Sequence, residues 1–470
     1  MSARTLLIAF ALVGALIVRV STAADVGVKT PPYERVQLGN GAVLLLMERH
    51  DVPLIAFNAL LRGGAVADPA DRFGTASLLA GLLEKGAGAR NAVQFAETVA
   101  SVGGAIETGA STESISVSGS FLARDQKLMV ELLADILQRP KLEQAQFDAL
   151  RARHIEFIRA AKDSNLDALV PIYGVASLFN AHPYGRPVDG SEASLAAIDH
   201  AGLRRYYEEQ AGADRLILAV AGDFKTAQLK QLLSRAFSGW RKAGAPLPLV
   251  PKATRMTARR VLLVDAPDSV QSYFWAGDVG VPRNDPRRAT LDVTNTVFGG
   301  SFTSMLNSEL RIRSGLSYGA SSRFDRLAVS GHWEMSSFTQ TATTIEAIDL
   351  ALATLDQLHT GALGEPALES GKSYVQGQFP LGLETSAQWA YQLANLELYG
   401  LDRSYIDSYA AALGTVSLAD AKKVTDEVFP QSRQLVLVVI GKAAEIRDGL
   451  RKYGPITEMK LSDPVFHKTS

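Results

Sequence analysis

The segment Gly74–Gly88, GTASLLAGLLEKGAG, repeats apolar residues at helical spacing, and Leu78, Leu79, Leu82 and Leu83 predict a packed helix. Ser77, Ala80 and Gly81 fall at i, i+3 and i+4, on one face of that helix. Glycine inside a helix costs about 1 kcal/mol relative to alanine, so small residues on the face where side chains converge best call for a reason. On either side of this helix, AVLLLME (42–48), LIAFNALLRGG (54–64) and SISVSGSFLA (114–123) read as strands, and helical patterning dominates 126–170.

The pattern then repeats. RLILAVAGDF from Arg215 and QLVLVVIGKA from Gln434 are apolar, β-branched runs ending in Gly222 and Gly441, 219 residues apart. Each follows a helix with a good N-cap, Asp199 in one case and Ser417 in the other. An interval of that length implies a duplicated domain rather than a solenoid. Between the copies, RKAGAPLPLVPKATRM holds three prolines and reads as a linker. The chain therefore divides into an N-terminal domain at 33–240, a linker at 241–257 and a C-terminal domain at 258–465. The fold class is α+β: two tandem homologous α/β domains, each a mostly antiparallel sheet covered by helices.

Composition adds limits. The 470 residues, 47% apolar and 21% charged with a formal net charge of −1, have room for two cores. No basic run offers a nucleic-acid surface. At the N-terminus Arg4 precedes the apolar run Thr5–Val18, with small residues after it, so 1–24 reads as a signal peptide cleaved after Ala23 or Ala24. That run falls short of the roughly 20 residues needed to span a bilayer. The expected location is periplasmic or secreted, with no stable membrane span. With zero cysteines, disulfides, thiolate nucleophiles and cysteine zinc sites are excluded.

Familiar catalytic patterns are missing. No two of the seven histidines stand at i and i+4, and neither a G-x-S-x-G elbow nor a phosphate loop occurs. HPYGRP (182–187) carries a histidine, but its prolines and glycine make it a turn. Two candidates remain. VFGGSFTSML (297–306) places Gly299, Gly300, Ser301 and Phe302 before a helix capped by Ser301 or Thr303, with free N–H groups. ELRIRSGLSYGASS (309–322) sets Arg311 and Tyr318 seven residues apart across a break at Gly315. From the residues alone, both also read as ordinary structure: a capped turn, a solvated arginine and a half-buried tyrosine.

Taken together and in order, GGAVADPADRFGTASLLAGLLEKGAGARNAVQFAETVASVGGAIETGAS, HPYGRPVDGS, FGGSFTSMLNSELRIRSGLSY and the strand–glycine repeats resemble the pitrilysin/insulinase (M16) family of zinc metallopeptidases. The likeness is to its short two-domain bacterial members, related to mitochondrial processing peptidase, and spans nearly the whole mature chain. In that family the first domain's helix carries His-x-x-Glu-His, two zinc ligands and the general base for a zinc-bound water. The resemblance puts this motif on Ser77, Ala80 and Gly81, so both ligands and the base are replaced. Glu156 stands near the spacing of the third ligand, where a solvated helix face explains it better.

The resemblance also implies that Arg311 and Tyr318 grip the substrate carbonyl and stabilise its oxyanion. Gly299, Gly300, Ser301 and Phe302 are then expected to help position substrate, although members often carry Arg where Met305 stands here. Several members pair a metal-bearing subunit with one that lacks the site. The expectation is a non-catalytic subunit of a heterodimeric zinc peptidase acting on unfolded peptides. Zinc would sit in a homologous active partner carrying His-x-x-Glu-His, none in this chain, and Arg311 and Tyr318 would act in trans. The alternative is an inactive structural or peptide-binding protein that keeps the peptidase fold as a scaffold.

Overall fold

A computed structural model describes residues 27–468; the segment read as a signal peptide lies outside the described residues. Strands β1 (Glu34–Gln37), β2 (Val43–Glu48), β3 (Leu54–Arg62), β4 (Ala105–Ala110), β5 (Ser114–Leu122) and β6 (Leu216–Gly222) form the first sheet. Strands β7 (Arg260–Asp265), β8 (Gln271–Val279), β9 (Ala320–Arg326), β10 (Gly331–Gln340), β11 (Val436–Gly441) and β12 (Ile456–Lys460) form the second. The spatial orders are β1-β2-β6-β3-β5-β4 and β12-β7-β11-β8-β10-β9.

Five consecutive strands thus repeat in one arrangement, β2 to β6 matching β7 to β11. The parallel pair recurs too, as β2 with β6 and β7 with β11, whereas most other neighbours are antiparallel. The halves differ at one edge. The first adds β1 antiparallel to β2 from the preceding chain; the second adds β12 parallel to β7 from the following chain. The fold is α+β with two sheet-containing halves covered by helices.

Four helices place the sites: α1 (Thr75–Leu83), α2 (Gln144–Ser164), α3 (Leu166–Phe179) and α4 (Ser386–Leu398). The N-caps read at Asp199 and Ser417 are present, accepting from Gly202 N and Asp420 N. Helices α3 and α4 start 220 residues apart, at 166 and 386, close to the strand interval, and they trade places. Helix α3, from the first half, packs on β8 and β11; α4, from the second, packs on β3 and β6. Trp389 and Leu393 of α4 share an apolar cluster with Val43, Leu45, Leu60 and Ile217, while Tyr173 of α3 clusters with Trp275, Val438 and Ile440. The contact is close enough that a Cβ on Gly174 would collide with the Trp275 ring. Each half therefore buries one face of its sheet under a helix of the other.

Residues 241–257 carry no helix or strand and touch both halves, the Pro251 carbonyl meeting His182 Nε2 at 2.8 Å and Met256 N donating to Asp278 Oδ1 at 2.9 Å. HPYGRP forms a short 3₁₀ turn. Among the described residues, no helix is long and apolar enough to cross a membrane.

Candidate functional site

Helix α1 is packed against the first sheet with its N-terminus held by one buried carboxylate. Asp68 accepts from Gly74 N at 2.8 Å and Ala76 N at 2.9 Å. Burial pushes its carboxyl up to about 7, against the opposing pull of those two N–H donors. The three small residues face α2 and the loop after HPYGRP. Ser77 Oγ donates to Asp189 Oδ1 at 2.7 Å, and Ala80 is buried. A Cβ on Gly81 would lie 2.9 Å from Leu150 Cδ2 of α2. Hydrocarbon thus fills the place where a side chain at 81 would project.

Glu156 of α2 is turned away, its carboxylate 2.6 Å from Arg159 and its side chain 67% exposed. Beside the Ser77–Asp189 bond a cavity of about 560 Å³ opens, lined by His154, Phe157, Ile158, Leu169 and Asp189 among others. Burial lowers the pKa of His154. Serine, alanine and glycine supply no imidazole or carboxylate for a metal, and a larger side chain at 81 would have to displace the end of Leu150. Among the described residues, no three His, Asp or Glu side chains are grouped to hold a metal ion.

The second-half candidates are arranged differently. Residues Thr296–Gly300 and Ser308–Arg313 are both wound as π-turns, a geometry with an extra residue per turn that is frequent at functional sites. A helix does follow the glycines, with the α turn Met305–Asn307 running straight on into the second of these π-turns, but its cap is Ser304, accepting from Asn307 N, not the expected Ser301 or Thr303. Ser301 Oγ instead donates back to the Thr296 carbonyl at 3.2 Å. Gly299 is obligatory, since a Cβ there would collide with Ser322 Oγ and stand 2.8 Å from Ser322 N on β9.

Two buried amides hold these turns. Asn295 donates to the Ser322 carbonyl at 2.9 Å, while its Oδ1 accepts from Ser322 Oγ at 2.8 Å and Trp333 Nε1 at 3.1 Å. Asn307 donates to the Phe302 carbonyl at 2.7 Å and accepts from Ala320 N at 3.1 Å. Neither residue stood out in the sequence; an asparagine amid apolar neighbours at the end of a helix was the available signal.

Arg311 and Tyr318 are both exposed, Tyr318 at 79%, so the half-buried packing reading of this tyrosine does not hold. Gly315 turns the chain between them at φ +68°. Thr339 Oγ1 donates to the Leu316 carbonyl, and Ser337 Oγ to the Gly319 carbonyl, so β10 pins the backbone on both sides of Tyr318. Arg311 lines two adjoining cavities. One, of about 430 Å³, is bounded by Gly299, Gly300, Ser301, Phe302 and Tyr374; the other, of about 460 Å³, by Tyr318, Phe338 and Thr339. All six second-half candidates therefore border one continuous surface. The vacated positions of α1 border neither of these cavities.

A duplicated sheet-and-helix unit, with a ligandless helix in one half and an exposed arginine–tyrosine pair in the other, is the arrangement that the resemblance to two-domain metallopeptidases implies. Comparison with known families agrees: residues 56–192 match the model "Insulinase (Peptidase family M16)", and residues 197–373 match "Peptidase M16 inactive domain". The chain belongs to peptidase family M16, the insulinase family. An uncharacterized zinc protease of Streptomyces coelicolor is 26% identical over 78% of this chain and 80% of its own length. A protein of Helicobacter pylori described as the non-peptidase homolog YmxG is 22% identical over 79% of this chain and 86% of its own. The crystal structure of a peptidase M16 inactive domain from Pseudomonas fluorescens shares the fold, with a TM-score of 0.81 and 19% identity over 87% of this chain and 98% of that one.

Proposed function

We propose that this chain is the non-catalytic subunit of a heterodimeric periplasmic zinc peptidase that degrades or processes unfolded peptides. Zinc, its water and the general base belong to a homologous partner carrying His-x-x-Glu-His; this chain supplies Arg311 and Tyr318. The observation that carries the reading is the contrast between the halves. The metal-helix face is filled by Leu150 and a Ser77–Asp189 bond, whereas Arg311 and Tyr318 stand exposed over open cavities. A guanidinium and a phenol are hydrogen-bond donors suited to a carbonyl oxygen gaining negative charge, and such donors are worth most when pre-positioned. Gly299–Phe302, on the same surface, would position the substrate backbone.

The test is peptide cleavage by each chain alone and by the two mixed, with zinc measured on each. The expected result is zinc only in the partner, negligible cleavage by this chain, and full turnover only in the mixture. Stoichiometric, tightly held zinc in this chain, or cleavage by it alone, would refute the proposal. The match to a protein described as a non-peptidase homolog supports a second reading, an inactive scaffold that binds peptide; it predicts a stable assembly with no gain in turnover on mixing.

A further inference from the structure

We infer that Phe302 is a positioning residue for Arg311, so that the glycine turn acts through the guanidinium as well as by lining the cavity. This rests on the role proposed above for Arg311. Among the described residues, Arg311 has no hydrogen bond and no ion pair, whereas its neighbour Arg313 is tied to Glu309. A free arginine side chain carries about 2 kcal/mol of rotamer entropy, so a reactive-site arginine needs a seat. The seat here is the Phe302 ring, whose centroid lies 4.8 Å from the guanidinium carbon. A carboxylate partner would occupy the N–H donors. An aromatic face holds the cation by its quadrupole and leaves those donors free for a carbonyl oxygen.

The rest of the geometry supports the seat. Phe302 is 61% exposed, so burial does not explain a large apolar ring at this place. Its backbone is nonetheless fixed, because Asn307, only 4% exposed, donates to the Phe302 carbonyl. The same amide accepts from Ala320 N, two residues beyond Tyr318, and lies four residues before Arg311. One buried side chain therefore sets the ring, the arginine-bearing turn and the strand that follows the tyrosine in register.

The experiment uses the full chain mixed with its zinc-bearing partner and a fluorogenic peptide. Phe302→Leu keeps apolar bulk at an exposed position and is expected to lower kcat about fivefold with KM little changed, the scale of an exposed cation–π contact. Phe302→Tyr, which restores the aromatic face, should recover most of that loss. In the Arg311→Ala background, Phe302→Leu should have no further effect on kcat. Wild-type kcat in Phe302→Leu, while Arg311→Ala is impaired, would overturn the inference and leave the proposed function standing. A loss in the double variant as large as that of Phe302→Leu in the wild-type background would also overturn it, showing that Phe302 acts independently of Arg311. An unimpaired Arg311→Ala would instead refute the role of Arg311 itself.

Discussion

Gly81 and Leu150 are 69 positions apart in sequence and adjacent in space, a Cβ at 81 standing 2.9 Å from Leu150 Cδ2. Restoring a histidine at 81 would force Leu150 aside. Gly81→His should therefore lower stability by about 1–3 kcal/mol, the usual range for overpacking a core. Leu150→Ala alone should cost about 2–5 kcal/mol. Because the two side chains contend for one volume, the double variant should cost less than the sum, measured by urea denaturation; strict additivity would contradict the packing. Asp68, at the start of the same helix, makes a pH prediction. Burial raises its folded-state carboxyl to about 7, above the 3.8 of a solvated aspartate in the unfolded chain, so the folded chain binds more protons between those limits. Its contribution to stability is present at low pH and is lost as pH rises through about 7. Asp68→Asn should flatten that slope in thermal melts across pH 5–8.

At the scale of elements, the two π-turns are what set the glycine and arginine surface, and they depend on close backbone approach. Gly299→Ala drives a methyl group into Ser322, whose hydroxyl donates to Asn295. A loss of about 1–3 kcal/mol is expected, with reduced turnover in the mixed enzyme; an unchanged melting curve would show that the turn tolerates a side chain. Here sequence reading reached its limit for a physical reason. The strands from Arg215 and Gln434, the caps at Asp199 and Ser417 and the helix at 75–83 were legible because each is encoded by nearby residues. The π-turns were not, since the extra residue per turn is fixed by Asn295 and Asn307 reaching across to Ser322 and Ala320. The Ser304 cap, in place of Ser301 or Thr303, follows from that same register.

Over the whole molecule the duplication is more than tandem. Because α3 covers the second sheet and α4 the first, neither half keeps its core when the other unfolds. The repeat was visible in the sequence, but this exchange was not, as helical periodicity shows which face is apolar without naming the sheet that receives it. Gly174→Leu, which places a side chain against Trp275, should cost about 3 kcal/mol and lower the melting of both halves together. Calorimetry should show a single transition; two separated transitions would contradict mutual dependence of the halves. That shared rigidity would also fix the direction in which the second half presents Arg311 and Tyr318. The central claim, that these side chains complete an active site in a partner chain, is tested most directly by replacing this chain with Arg311→Ala in the reconstituted enzyme at saturating subunit. The account predicts that kcat falls by about 10²-fold with subunit affinity unchanged, whereas wild-type turnover by the assembled variant would contradict it.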